Sequence, residues 1–339
     1  MTFLYLFLSL VGIFIAAELF TNAIEWFGKH LDLGEGAVGS VLAAVGTALP
    51  ETSVAVVAII AREKAHTEAG IGAILGAPMM LSTLAMFITG AAVLIFSASK
   101  VRKPVINADY QIVGRDLRSF FLVYAIALAA AFIPGRVGKV PVALALVLIY
   151  VLYVRRTILD SGNSDGQGHV RPLHFRRRAD FPHIKIVIVQ LIAGIALMLI
   201  GAKVFVDSVT VMSASLGIAP LVLSLIITPI ATELPEKFNS IIWIRRRKDT
   251  LALGNITGAM VFQSSVLPAI GILFTPWSLD PHALISMVVA LLASSTIWAE
   301  MTLRKRLSPY SLLIGGVFYA LFPIAVFWVL PMMGYSVKG

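Results

Sequence analysis

Apolar residues run along this chain in long, almost unbroken stretches separated by short polar connections, with no one-sided alternation of polar and apolar positions. A helix needs about 20 mostly apolar residues to cross a hydrocarbon core of about 30 Å. By that measure the chain holds ten candidate spans: 2–26, 36–61, 70–98, 118–134, 138–154, 184–208, 217–244, 250–274, 282–302 and 309–333. The first is long, has no charged leader and carries Glu18, Asn22 and Glu25, so it reads as a membrane helix and not a signal peptide. The pattern predicts an all-α integral membrane protein.

Composition narrows the classes further. With 58% hydrophobic and 13% charged residues and a mean hydropathy of +0.91, a water-soluble domain would expose large apolar patches. Soluble enzymes, disordered scaffolds and nucleic-acid partners are set aside, and the lipid bilayer becomes the expected surrounding. There is no cysteine, so site chemistry must come from carboxylates, amides, hydroxyls, imidazoles and backbone carbonyls.

The net charge of +9 serves as a topological signal. Of 27 Lys and Arg residues, twenty fall in the odd-numbered connections and their flanks and five on the opposite side. This split predicts both termini outside and the 155–183 stretch in the cytoplasm. That stretch contains Ser161, Gly162, Asn163, Ser164, Asp165, Gly166 and Gly168, as a flexible linker would. The expected organisation is a five-helix unit over 1–154, a linker over 155–183 and a second five-helix unit over 184–339.

The two units repeat one another. An offset of 185 residues pairs Ala17 with Ala202, Phe20 with Phe205, Thr47 with Thr232, Pro50 with Pro235, Glu51 with Glu236 and Arg62 with Arg247. An offset of 182 then pairs Gly72 and Gly76 with Gly254 and Gly258. Five spans per unit make the repeats antiparallel across the membrane, an arrangement that places a transport site near the midplane. Proline removes an N–H and leaves the carbonyl four residues earlier without its helical donor. Helices 2 and 7 are therefore expected to break near Pro50 and near Pro229 and Pro235, exposing the carbonyls of Gly46 and Ala231. Glu51 and Glu236 follow the paired prolines directly. Ionisable groups at midplane cost about 2.5–3.5 kcal/mol on insertion scales and mark pathways, and hard oxygen donors suit Ca²⁺, Na⁺ or protons.

The segments "GTALPETSVAVVA" and "ATELPEKFNSII", each followed by a Gly-x-x-x-Gly helix, resemble the two α-repeats of the cation/Ca²⁺ exchanger superfamily, which includes the sodium/calcium exchangers. The resemblance implies ten helices in two inverted halves. It also implies a cation bound between helices 2, 3, 7 and 8 by Glu51 and Glu236, with oxygens from Thr47 and Thr232. Where the family carries amides or carboxylates on helices 3 and 8, this chain has Ala73, Ala77 and Leu81, then Ala259, Met260 and Gln263, keeping Asn255. Glu233 is an added acid where the first repeat has Ala48. Glu233, Asn255 and Gln263 complete the candidate ligand set.

Glu18 and Lys203 occupy equivalent positions in the first helix of each unit. Buried there, they are expected to pair with each other or with Asp207 and Asn22, as a structural pair or a gate. The six histidines show no metal-ligand spacing and are expected at the surface. No Gly-x-x-x-x-Gly-Lys-Ser/Thr motif is present, so an ion gradient must supply the energy. The expected function is a secondary antiporter exchanging Ca²⁺ for Na⁺ or H⁺, without a resident cofactor. A proton-coupled exchanger of another cation is the nearest rival. A membrane-embedded enzyme acting on a lipid is the rival from another class, and the dispersed Asp residues do not favour it.

Overall fold

A computed structural model describes residues 1–31, 48–160, 171–177 and 181–337, with the side chains of Asp160 and of 234–239 left aside. The described residues form helices and connections. In chain order the helices are α1 (Thr2–His30), α2 (Leu49–Ile60), α3 (Lys64–Ala98), α4 (Tyr110–Ala130), α5 (Arg136–Asp160), α6 (Ile184–Leu216), α7 (Pro220–Arg245), α8 (Asp249–Phe274), α9 (Pro281–Arg304) and α10 (Pro309–Met332). Seven of them, α1, α3, α5, α6, α8, α9 and α10, are long and apolar enough to cross a membrane, and Leu49–Ile60 and Pro220–Glu233 are shorter apolar helices.

The prolines act less uniformly than expected. Pro50 sits in the first turn of α2, where its missing N–H has no helical partner to lose; the chain before Ala48, including Gly46 and Thr47, lies outside the described residues. α7, by contrast, is helical from Pro220 to Arg245 straight through Pro229 and Pro235, which corrects the expected interruption. An interior proline removes one helical hydrogen bond and crowds the carbonyl four residues earlier, and α7 carries both changes without a break. The orphaned Leu225 carbonyl meets the backbone of α3 at Gly76, where a Cβ would come 2.5 Å from that oxygen. α3 accommodates its own Pro78 just before a π-helical stretch, Leu81–Ala85, in which Ser82 and Thr83 both donate to the Met79 carbonyl at 3.0 and 2.5 Å.

Lipid tails are as apolar as leucine, so helices associate through close packing and polar contacts. Small residues mark the α1–α6 and α3–α7 contacts. α1 and α6 pack chiefly on each other, with Gly194 against the Phe20 backbone and Gly201 against Ile13. α3 meets α7 at Gly72 and Gly76, where the Ser224 hydroxyl also donates to the Ala69 carbonyl at 2.6 Å. α8 packs against α4, α5, α3 and α7. At its start Asp249 accepts both terminal nitrogens of Arg102 at 2.7 Å, the pair being buried. Arg102 also donates to the carbonyls of Ile244 and Val105, which satisfies the guanidinium as a buried charge requires and ties the α3–α4 connection to α8.

Candidate functional site

Three polar side chains from three helices converge in the packed interior. Glu51 stands in the first turn of α2, Glu233 in the middle of α7 and Gln263 in the second half of α8. Each is at most 1% exposed. The Gln263 Nε2 donates to Glu51 Oε1 at 3.2 Å and, in a very short contact, to Glu233 Oε1. One amide nitrogen thus joins carboxylates from two helices far apart in the chain. Two carboxylates held this close inside a protein repel each other unless a donor, a cation or a proton lies between them.

The surroundings extend this polarity along α7. Ser224, Thr228 and Thr232 are buried at successive turns: Ser224 and Thr228 hydroxyls lie 2.8 Å apart, and Thr232 donates to the Thr228 carbonyl at 3.0 Å. The row leads to Glu233. Its spacing of four residues puts the hydroxyls on one helical face, a signal readable in the sequence once α7 is known to be unbroken. Ala231 is half-buried, and Pro235 four residues on brings no N–H to its carbonyl.

Other expected members stand apart or outside. Asn255 is half-buried on α8, eight residues and so about 12 Å of helix before Gln263. Glu236 lies in helical backbone, and its side chain is outside the described residues, as are Gly46 and Thr47. The expected pairing of Glu18 with Lys203 is corrected. Glu18 is half-exposed and meets Arg171 at 3.3 Å and His174 at 3.4 Å, while Lys203 is exposed. Asp207, also exposed, meets His66 of α3 at 2.9 Å. The cause is the α1–α6 contact: Ile13, Ala16 and Phe20 face Gly194 and Gly201, and positions 18 and 203 fall off that seam. Asn22, the other expected partner, is buried against the 171–177 segment, donating to the Arg171 carbonyl at 3.1 Å and accepting from Gln190 at 3.0 Å.

Sequence reasoning missed two buried acids, Asp249 with its Arg102 partner and Asp116. Asp116 of α4 accepts from Tyr153 of α5 at 2.9 Å, from Thr257 of α8 at 2.7 Å and from its neighbour Arg115 at 3.3 Å. It locks α8 to α4 and α5 through Thr257, about 120° around the helix from Gln263. His282 is buried beside Asp280, so the histidines are not all superficial. Among the described residues no three His, Asp or Glu side chains gather as a metal cluster.

Comparison with known proteins decides the family. The sodium/calcium exchanger protein family model matches residues 1–159 and 186–330. This chain belongs to that family. The family is one of membrane transporters, not of enzymes, which removes the lipid-modifying alternative. Inner membrane protein YrbG of Escherichia coli is 24% identical over 303 residues, covering 87% of each chain. The putative antiporter CaxA of Alkalimonas amylolytica is 31% identical over 116 residues, covering 34% of this chain and 36% of that one. The fold is similar to that of the H⁺/Ca²⁺ exchanger CAX, with a TM-score of 0.70, 16% identity, and 96% of this chain and 82% of that one covered. It is also similar to the sodium-calcium exchanger NCX_Mj, with a TM-score of 0.57, 19% identity, and 96% and 98% covered. The exchanger family and its antiporter relatives agree with the resemblance carried by the paired Leu-Pro-Glu segments.

Proposed function

We propose that this exchanger-family protein is a secondary active cation antiporter that moves Ca²⁺ against H⁺ or Na⁺ by alternating access. The observation that carries the reading is the convergence of Glu51 and Glu233 on Gln263, two buried carboxylates from helices of opposite halves. Their combined charge calls for a cation or protons, and carboxylate and amide oxygens are ligands for hard cations. Glu236, the repeat counterpart of Glu51, is proposed as a further carboxylate, with Thr232 and the carbonyls of Gly46 and Ala231 as neutral donors. Thr47 and Asn255 belong to the same proposed set.

Ten crossings in two inverted units, 1–154 and 184–339, joined by a cytoplasmic 155–183 linker with both termini outside, form the proposed topology. Protons are the preferred coupling ion. Several Na⁺ ions beside Ca²⁺ would each need an oxygen shell, and Ala73, Ala77, Leu81 and Ala259 offer no side-chain oxygen. The same shortage supports the second reading, proton-coupled exchange of a cation other than Ca²⁺.

The test is ion replacement in proteoliposomes. Radiolabelled Ca²⁺ uptake driven by an imposed H⁺ or Na⁺ gradient, abolished when the gradient is collapsed, is the expected result. Absence of Ca²⁺ flux under both gradients, with flux of another cation, would establish the second reading instead.

A further inference from the structure

We propose that the Gln263 carboxamide is a built-in counter-ion, which holds Glu51 and Glu233 together and competes with the transported cation for their oxygens. The inference rests on the antiport reading above and concerns how its site is regulated.

An amide NH₂ carries two donor hydrogens, and here one nitrogen serves a carboxylate oxygen on each side. Hydrogen bonds to charged acceptors are stronger than neutral ones. The partial positive charge of the NH₂ group therefore lies between two negative groups, the point at which a bridging cation would also be most stabilised. The two cannot be there together. A cation entering between Glu51 and Glu233 must displace the NH₂ group from one or both.

The other end of the amide indicates where it goes. Gln263 Oε1 is buried and has no hydrogen-bond donor among the described residues. The terminal torsion of glutamine is broad and roughly two-fold, so a half-turn exchanges nitrogen and oxygen in place. With oxygen turned toward the carboxylates the arrangement is repulsive unless a cation lies among them. With a cation present the same oxygen becomes its ligand. One side chain therefore has two settings, donor inward without the cation and acceptor inward with it, and the choice between them is made by the cation.

The experiment is thermal melting of the purified full-length protein and its Gln263→Leu variant, each in chelator with choline as the sole cation and again in saturating Ca²⁺, beside Ca²⁺ flux of the wild type. The counter-ion role predicts that the variant melts lower than the wild type by about 3 °C or more in chelator, and that Ca²⁺ narrows this gap. A gap that is equal in both conditions, as a packing defect gives, overturns the proposal. So does a gap that widens in Ca²⁺, as loss of a mere ligand gives. If Gln263→Leu cannot be purified, Gln263→Met, which keeps the length and removes both the donor and the oxygen, carries the same test: it must melt lower than the wild type in chelator and regain more in Ca²⁺. A Gln263→Met gap that Ca²⁺ leaves unchanged likewise overturns it. Wild-type protein that neither carries nor is stabilised by Ca²⁺ would instead refute the Ca²⁺ antiport reading, a result distinct from wild-type flux with an unchanged gap.

Discussion

Arg62 and Arg247 share one left-handed backbone conformation, with φ 59° in each, and they stand 185 residues apart at the repeat offset. Each ends the helix that carries a Leu-Pro-Glu segment and begins the turn into a Gly-x-x-x-Gly helix. A left-handed arginine costs about 1–2 kcal/mol relative to a right-handed one, so two at matched positions reflect a turn geometry common to both halves. Arg62→Gly should raise stability by up to about 1 kcal/mol. Arg247→Gly should gain less, because its guanidinium donates to the Val101 carbonyl at 2.9 Å. Thermal melts of the two variants check this, and destabilisation by Arg62→Gly would contradict it.

Glu51→Gln and Glu236→Gln preserve shape and remove charge. Each should lower Ca²⁺ exchange by about tenfold or more, the factor that about 1.4 kcal/mol of lost binding produces. Expression and melting should change little. Glu233→Ala, which restores the first-repeat residue, should alter ion preference more than expression. Full exchange in both glutamine variants would move the ion elsewhere.

Matched glycines should respond unequally. A Cβ at Gly76 would meet the Leu225 carbonyl and the Pro229 ring at 2.5 and 2.6 Å, whereas one at Gly258 would find only the Tyr153 hydroxyl, at 3.8 Å. Gly76→Ala should destabilise by about 1–3 kcal/mol, as overpacking does, and Gly258→Ala should be nearly silent. Comparable losses at both sites, measured by melting, would show that α3 and α8 pack alike.

Protons and cations compete for the same carboxylates, so exchange coupled to H⁺ should slow as the cation-loading side is acidified. It should also accelerate when the opposite side is made acidic. The expected profile is steep in pH and shallow in Na⁺. Transport that saturates with Na⁺ and stays flat across neutral pH would return the protein to sodium coupling.

A cysteine placed at Ser164 should react with impermeant reagents only from the cytoplasmic side, and one at Gly135 only from outside. The expectation follows from the distribution of Lys and Arg. Labelling of both from one face would invalidate the inverted topology.

Much of this protein was legible in one dimension. Hydropathy over about 20 residues marks membrane helices, and offsets of 185 and then 182 residues expose a repeat. The spacing of Pro50, Glu51, Pro235 and Glu236 was enough to suggest an exchanger before any contact was known. Those features depend on order along the chain. Which acids meet depends on the azimuth of each helix, and that is set by neighbours distant in sequence. Gly76 lets α3 approach the Leu225 carbonyl, supporting α7 where its prolines suggested a break, and the continuous helix carries Glu233 inward. Asp116, held by Tyr153, fixes Thr257 of α8, and Gln263, about 120° around the same helix, meets Glu51 and Glu233. Gly194 and Gly201 bring α1 and α6 together along a seam that excludes Glu18 and Lys203, so a pairing that symmetry suggested does not form. Repeat symmetry relates positions; only the packing of small residues against particular backbones decides which side chains face one another.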